Sequence, residues 1–210
     1  MIILLMGPAA SGKGTYAEML SKEIKVPSIS MGELLRQFAQ KSDYGKGLKE
    51  KYWGKGLLVP DDITLDVLNQ SLDKKGFILD GFPRNLNQAK MLDKIVKVDH
   101  AVCIKVSEGT IIKRISGRLQ CKKCGAVYNK FSNPPKEDSV CDNDGTKLYV
   151  RPDDTDIKAI KERLKIFHEM TLPVIDHYKR KGVLKEVDGE PGIDVVFKSM
   201  LKSIRQKSRK

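Results

Sequence analysis

Gly7-Pro8-Ala9-Ala10-Ser11-Gly12-Lys13-Gly14-Thr15 stands directly after the apolar run Ile2-Ile3-Leu4-Leu5-Met6 and before a segment whose Ala17 and Leu20 keep helical spacing. An unbroken apolar run of this length is the pattern of a parallel strand buried on both faces. Strand, glycine-rich loop and helix in that order form the setting of a phosphate-binding loop. Gly7 and Gly12 let the backbone curl until several N–H groups converge on one anion. The helix that follows adds the positive end of its dipole. Lys13 supplies a full charge for β- and γ-phosphates, and the Thr15 hydroxyl can reach a phosphate oxygen or magnesium. The general pattern sets Ser or Thr immediately after the lysine, whereas here Gly14 intervenes.

Working outward, the 210 residues suffice for one substantial α/β domain with small insertions. Hydrophobic residues at 40% and charged residues at 31% are ordinary for a soluble chain. The first apolar run is too short for a signal-peptide core and leads into the loop, not a cleavage site. Nothing else approaches membrane-spanning length, so a cytoplasmic protein is expected. The net charge of +12 fits either a nucleic-acid partner or an enzyme with polyanionic substrates, and by itself it decides nothing. The tail from Lys198 to Lys210 carries an apolar stripe (Phe197, Met200, Leu201, Ile204) and reads as a docked helix fraying into a basic end.

Along the chain, strands are expected at Val26 to Ser30, Gly76 to Asp80, Ala101 to Val106 and Val183 to Val187. Helices are expected from Met31, from Asp61 through Leu72, over Asn87 to Lys94, over Glu108 to Ser116, over Asp156 to Lys181 with a break near Pro173, and after Gly192. The segment from Asp43 to Gly56 alternates Gly, Lys and Tyr and has a helical middle at Leu48 and Tyr52. Pro60 and the acidic Asp61-Asp62 pair suit a helix's first turn. From Arg118 to Pro152 helical periodicity stops and Gly, Asn, Pro, Lys and Cys dominate, as in a small inserted domain. Strands alternating with helices imply a parallel sheet covered on both faces, with ligands at the strands' carboxyl ends.

Asp80-Gly81-Phe82-Pro83-Arg84 closes the third expected strand. The Gly-Lys-Gly-Thr form of the loop resembles the nucleoside monophosphate kinases, and this second motif narrows the likeness. With Ser30-Met31-Gly32-Glu33-Leu34-Leu35-Arg36, Leu58-Val59-Pro60-Asp61, Gln88, Gly117-Arg118 and Arg151-Pro152-Asp153-Asp154, the chain resembles the adenylate kinases over nearly its whole length. The resemblance implies a P-loop NTPase-like five-stranded parallel sheet with helices on both faces. It divides the chain into a core (1–29, 60–117 and 153–210), an AMP-binding insert (30–59) and a lid (118–152). It also implies reversible, magnesium-dependent transfer of phosphoryl from ATP to AMP, giving two ADP.

The same resemblance assigns roles. ATP would meet Ala10, Ser11, Gly12, Lys13, Gly14 and Thr15, then Arg114, Arg118, Val127, Tyr128 and Pro191. AMP would meet Ser30, Met31, Arg36, Leu57, Leu58, Val59, Gly81, Phe82, Pro83, Arg84 and Gln88, with Arg151 and Arg163 reaching over the phosphates. Lys13, Arg84, Arg118, Arg151 and Arg163 would carry catalysis, and Asp80 would organise Mg2+ through water. Such roles suit phosphoryl transfer, in which positioning and charge neutralisation carry the rate and guanidiniums grip phosphate in a fork. Asp153 and Asp154 would position the arginines or else only favour a helix start. Met31 stands where the family usually has Thr, Trp53 where it commonly has Met, and Leu119 where another arginine is frequent. Arg151 and Arg163 are one residue further apart than usual.

Cys121-Lys122-Lys123-Cys124 and Cys141-Asp142-Asn143-Asp144 form two knuckles. Their spacing fits a structural Zn2+ held by Cys121, Cys124, Cys141 and Asp144, with Asp142 the poorer fourth ligand. An insert of this size cannot bury a core of its own, so a metal staple is reasonable. Cys103 lies in an apolar strand and reads as a small core residue. Expected partners are ATP, AMP and ADP, with no membrane, no nucleic acid and no obligate protein partner, so a monomer is expected. A kinase for another nucleoside monophosphate, and a P-loop binding module using the basic surface, are the competing readings.

Overall fold

The run Ile2–Met6 forms β1, and all five of its residues are buried. In the computed structural model, which describes residues 1–72 and 76–206, β1 is the centre of a five-stranded sheet. The other strands are β2 (Ser28–Ser30), β3 (Phe77–Asp80), β4 (His100–Lys105) and β7 (Leu184–Asp188), and the order across the sheet is β2-β3-β1-β4-β7. Every pairing in it is parallel. The connecting helices are α1 (Lys13–Ile24), α2 (Met31–Lys41), α3 (Asp43–Lys51), α4 (Asp61–Asn69), α5 (Leu86–Ile95), α6 (Glu108–Ser116), α7 (Ile157–Ile166), α8 (Leu172–Arg180) and α9 (Ile193–Arg205).

The strand period of two sorts the core into two layers. Ile2, Leu4, Met6, Phe77, Leu79, Ala101 and Cys103 point to one face and pack with residues of α2, α4, α5 and α8. Ile3, Leu5, Ile78, Val102 and Ile104 point to the other and pack against Tyr16, Ala17 and Leu20 of α1 and Val196, Met200 and Ile204 of α9. A fully buried aliphatic side chain contributes roughly 1.5–3 kcal/mol, so these two layers dominate the stability of the sheet. They hold its carboxyl edge in register, with Asp80 beside both Leu5 and Ser30.

Three expected elements differ in detail. α4 ends at Asn69, short of Leu72, which instead packs part-buried against the core. The segment from Asp43 to Gly56 divides into α3 and a short 3-10 turn at Trp53–Lys55. The interruption expected near Pro173 falls just before it: a π-turn at Phe167–Thr171 separates α7 from α8 and leaves the proline in the first turn of α8. A proline has no N–H to donate there and would crowd the carbonyl four residues back, so the wider turn accommodates it. The tail's last basic residues, 207–210, lie outside the described residues.

The inserted stretch forms a two-stranded antiparallel sheet, β5 (Arg118–Gln120) with β6 (Val127–Asn129). Its own cluster is confined to Leu119, Cys121, Tyr128, Cys141 and Leu148, with Ala126 packed against it. Leu119 thus fills the small lid core. Among the described residues no helix is long and apolar enough to cross a membrane.

Candidate active site and metal centre

The phosphate loop links β1 to α1. Gly7 has φ 143° and Gly12 φ 95°, and a Cβ on Gly7 would lie 2.8 Å from the Ile104 carbonyl oxygen while one on Gly12 would lie 2.7 Å from the Tyr16 ring. Only glycine fits either position. Lys13 turns its ammonium back over the loop, donating to the carbonyls of Gly7 (2.9 Å) and Pro8 (2.7 Å). Desolvation, partly offset by Asp80, brings its pKa down to about 8. Ser11 is fully buried, and it stands behind the loop instead of lining the cleft. Arg114 ties the loop to the far side of the site by donating to the carbonyls of Ser11 (3.4 Å) and Gly189 (2.7 Å).

Across the cleft stands a shell of arginines held by carboxylates and one amide. Asp154, whose side chain is wholly buried, accepts a forked pair of bonds from Arg118 and a longer one from Arg163. Arg163 also pairs with Asp153. Arg151 donates through Nε to Gln120 Oε1 at 2.6 Å. Gln120 is itself buried, accepts from the Tyr149 hydroxyl and donates to the Gly125 carbonyl. Burial and the crowd of neighbouring guanidiniums lower Arg163 to about 9 and Arg151 to about 10, so the shell is short of negative charge. Asp154 is the carboxylate that makes this cluster tolerable. Asp154→Asn leaves Arg118 unneutralised and Arg163 with Asp153 alone, and breaking such a buried pair costs about 3–5 kcal/mol. We expect the melting temperature to fall by roughly 6–20 °C in a thermal melt followed by circular dichroism.

On the other side, Arg36 on α2 is held by Glu33, with Nη2 at 2.8 Å. Arg84 donates through Nε to the Gly81 carbonyl at 2.9 Å, and its own carbonyl accepts from the Thr171 hydroxyl of the π-turn. Gln88 is buried on α5, accepting the Arg84 backbone N–H at 2.8 Å and donating to Asp61 Oδ1 at 2.8 Å. Burial alone would raise the Asp61 carboxyl, but bonds from Asn87, Asn85 and Gln88 outweigh it and hold the group below its ordinary range. Met31 is buried in the core layer beneath this region and Trp53 packs against the same layer, and both also line the cleft.

The two lid knuckles converge. One ligand atom from each of Cys121, Cys124, Cys141 and Asp144 lies within 4.8 Å of the others. The Sγ atoms of Cys124 and Cys141 are 3.5 Å apart, and Cys121 Sγ is 3.5 Å from Asp144. Tetrahedral thiolates about 2.3 Å from zinc would be spaced by about 3.8 Å, so the donor set fits that ion. The backbone N–H groups of Lys123 and Cys124 donate to Cys121 Sγ, as suits a thiolate. Asp142 instead accepts from the Lys136 backbone and lies outside the cluster. Tyr128 lines the cleft, but its hydroxyl accepts from the Asp142 N–H at 2.9 Å and so helps brace the knuckle.

One cleft of about 1120 Å³ brings these parts together. Single ligands occupy pockets of roughly 300–1,000 Å³, so this one has room for two. Its walls include Ala10, Gly12 to Thr15, Asp80, Arg114, Arg118, Val127, Tyr128 and Pro191. They also include Ser30, Met31, Arg36, Leu57 to Val59, Gly81 to Arg84, Gln88, Arg151 and Arg163. Sequence reasoning missed Gln120 and the part played by Asp61. Gln120 gave no signal beside the cysteines, and Asp61 read as an ordinary first-turn acid.

A phosphate loop at the edge of a parallel sheet, facing an arginine shell across a two-ligand cleft, defines a P-loop nucleoside monophosphate kinase. A sequence-family model described as "Adenylate kinase" matches residues 5–183. The chain is 44% identical to the adenylate kinase of Methanocella arvoryzae, over 98% of this chain and 99% of that one. It is 41% identical to those of Archaeoglobus fulgidus (95% and 96% covered) and Thermotoga maritima (96% of each). The chain belongs to the adenylate kinase family.

Proposed function

We propose that the protein transfers the γ-phosphoryl group of Mg-ATP to AMP, reversibly, giving two ADP. The observation that carries this reading is the single cleft in which Lys13, six arginines (36, 84, 114, 118, 151 and 163) and Gln88 all meet. ATP lies over the phosphate loop, with Arg114, Arg118, Val127, Tyr128 and Pro191 beside it. AMP lies between α2, the Leu57–Val59 stretch and the loop after β3, its phosphate gripped by Arg36 and Arg84 and its base read by Gln88. An oxygen of the AMP phosphate attacks the γ-phosphorus while the bond to the β-bridging oxygen breaks. Lys13, Arg118, Arg151 and Arg163 neutralise charge spreading over the transferred group, so the protein need supply no nucleophile. Asp80 orients the waters of the magnesium that accompanies ATP.

Residues 30–59 and 118–152 act as two flaps on the core (1–29, 60–117 and 153–210), and their closure excludes water so that phosphoryl passes to AMP. Cys121, Cys124, Cys141 and Asp144 hold a structural zinc ion, which cross-links the lid. In this reading the enzyme works as a monomer in the cytoplasm, and its +12 charge serves polyanionic nucleotides. The test is ADP formation from Mg-ATP with AMP, dAMP, GMP, CMP and UMP as acceptors. Turnover should be confined to, or far greater with, adenine acceptors. Preference for a pyrimidine would make it a different nucleoside monophosphate kinase. No turnover with any acceptor, in zinc-replete protein, would leave a P-loop binding module.

A further inference from the structure

The amide of Gln88 has no freedom of orientation. Its Oε1 accepts a backbone N–H, that of Arg84, at 2.8 Å, and its Nε2 donates to Asp61 Oδ1 at 2.8 Å. A backbone N–H can only donate and an ionised carboxylate can only accept. Turning the amide over would set donor against donor and acceptor against acceptor at once. Asp61 is itself fixed, since Asn85 donates to Oδ1 at 2.8 Å and Asn87 to Oδ2 at 2.7 Å. It is not among the residues that line the cleft, so it acts on a bound base only through Gln88. What remains for a base is one Nε2–H donor and one lone pair on Oε1.

We propose that Asp61, together with the Arg84 backbone N–H, sets acceptor-base specificity by pinning the Gln88 amide in one orientation. The pinned amide matches a base edge with an exocyclic N–H donor beside a ring-nitrogen acceptor, the edge of adenine and, among pyrimidines, of cytosine. It opposes an edge with a carbonyl beside a ring N–H, the edge of hypoxanthine or guanine, which needs the amide reversed. Discrimination of this kind comes from leaving buried polar groups unpaired with the wrong base. This inference rests on the reading of Gln88 as the contact to the AMP base. Asp61 is a positioning residue in it.

The test compares kcat/KM for AMP and IMP, which differ on this edge and are nearly the same size. In the unmodified chain AMP should be strongly favoured. Asp61→Asn can either accept from or donate to Gln88 and leaves only the Arg84 N–H holding Oε1, so the AMP-to-IMP ratio should fall by roughly 3- to 10-fold. In a Gln88→Ala background the same substitution should leave the ratio unchanged, which a general loss of packing at α4 would not explain. Asp61→Ser, whose hydroxyl both donates and accepts, gives the same readout if the asparagine variant does not fold. A ratio that holds in the Asp61 variants, with AMP still used, overturns the role of Asp61 and leaves the adenylate kinase reading standing. An unmodified enzyme that uses IMP as well as AMP overturns the reading of Gln88 itself.

Discussion

Lys13→Met lowers kcat by about 10³-fold while the protein stays folded. Removing one preorganised donor from a developing oxyanion costs about 10²–10³-fold, and here a full charge leaves with it. The fold should not suffer, because the side chain's burial lowers its pKa to about 8 from 10.5 and so works against the charged form. The sign follows from linkage. Between pH 8 and 10.5 the unfolded chain holds the proton more firmly than the native one, so this residue's contribution to stability rises with pH through that window and is least below it. ATP phosphates favour the ammonium and pull in the other direction. Nucleotide binding near pH 9 should therefore take up a proton and weaken as the pH climbs. Calorimetry in two buffers of different ionisation heat measures that uptake, and Lys13→Met should abolish it. A methionine variant retaining a tenth of native turnover would remove Lys13 from the reacting centre.

Stripping the zinc ion proposed for Cys121, Cys124, Cys141 and Asp144 is the second large effect expected. The lid cluster comprises five buried residues, two of them cysteines of the knuckles, too few to hold a sheet of two three-residue strands unaided. Structural zinc supplies about 10–16 kcal/mol of apparent binding energy in small domains, which here is energy for ordering the lid. Chelation, or Cys141→Ser, should unfold residues 118–152 while the two core layers persist. Thermal melts should show an early, small transition followed by the main one, and proteolysis should cut within the lid first. Turnover should drop at least 100-fold, since Arg118 and Arg151 stand at the two ends of that segment. Zinc content measured on the same samples ties the loss to the ion. A stripped protein with native turnover and a single melt would mean that the hydrogen bonds around Tyr128 and Asp144 suffice.

Much of this was legible in the chain because the chemistry is local. Ile2 to Thr15 encodes strand, turn and helix within one short stretch, and Asp80 to Arg84 marks the end of another strand. The cysteine spacing reports on geometry because two knuckles need only short turns to converge. What stayed hidden depends on residues far apart in sequence. Asp61 meets Gln88 across 27 positions and Gln120 meets Arg151 across 31, and neither glutamine differs in sequence from a solvated polar residue. That Met31 also fills a core layer was equally hidden, since which layer a side chain reaches depends on how α2 lies against the sheet. Pro173 did mark an interruption of the helix, but its form, one widened turn in place of a loop, depends on the packing of α8 and was not readable from the proline.

That widened turn separates two jobs. An ordinary helix through 157–180 would lock the angular position of Arg163 to that of Val174, Ile175 and Tyr178, which seat α8 in the core. Each residue advances the azimuth by about 100°, so one added or lost residue would swing the guanidinium out of the cleft or the core residues off the sheet. The π-turn at Phe167–Thr171 offsets that phase relation, so that Arg163 faces the cleft while Val174, Ile175 and Tyr178 face the sheet. Functional and structural halves of one long helix are geared separately.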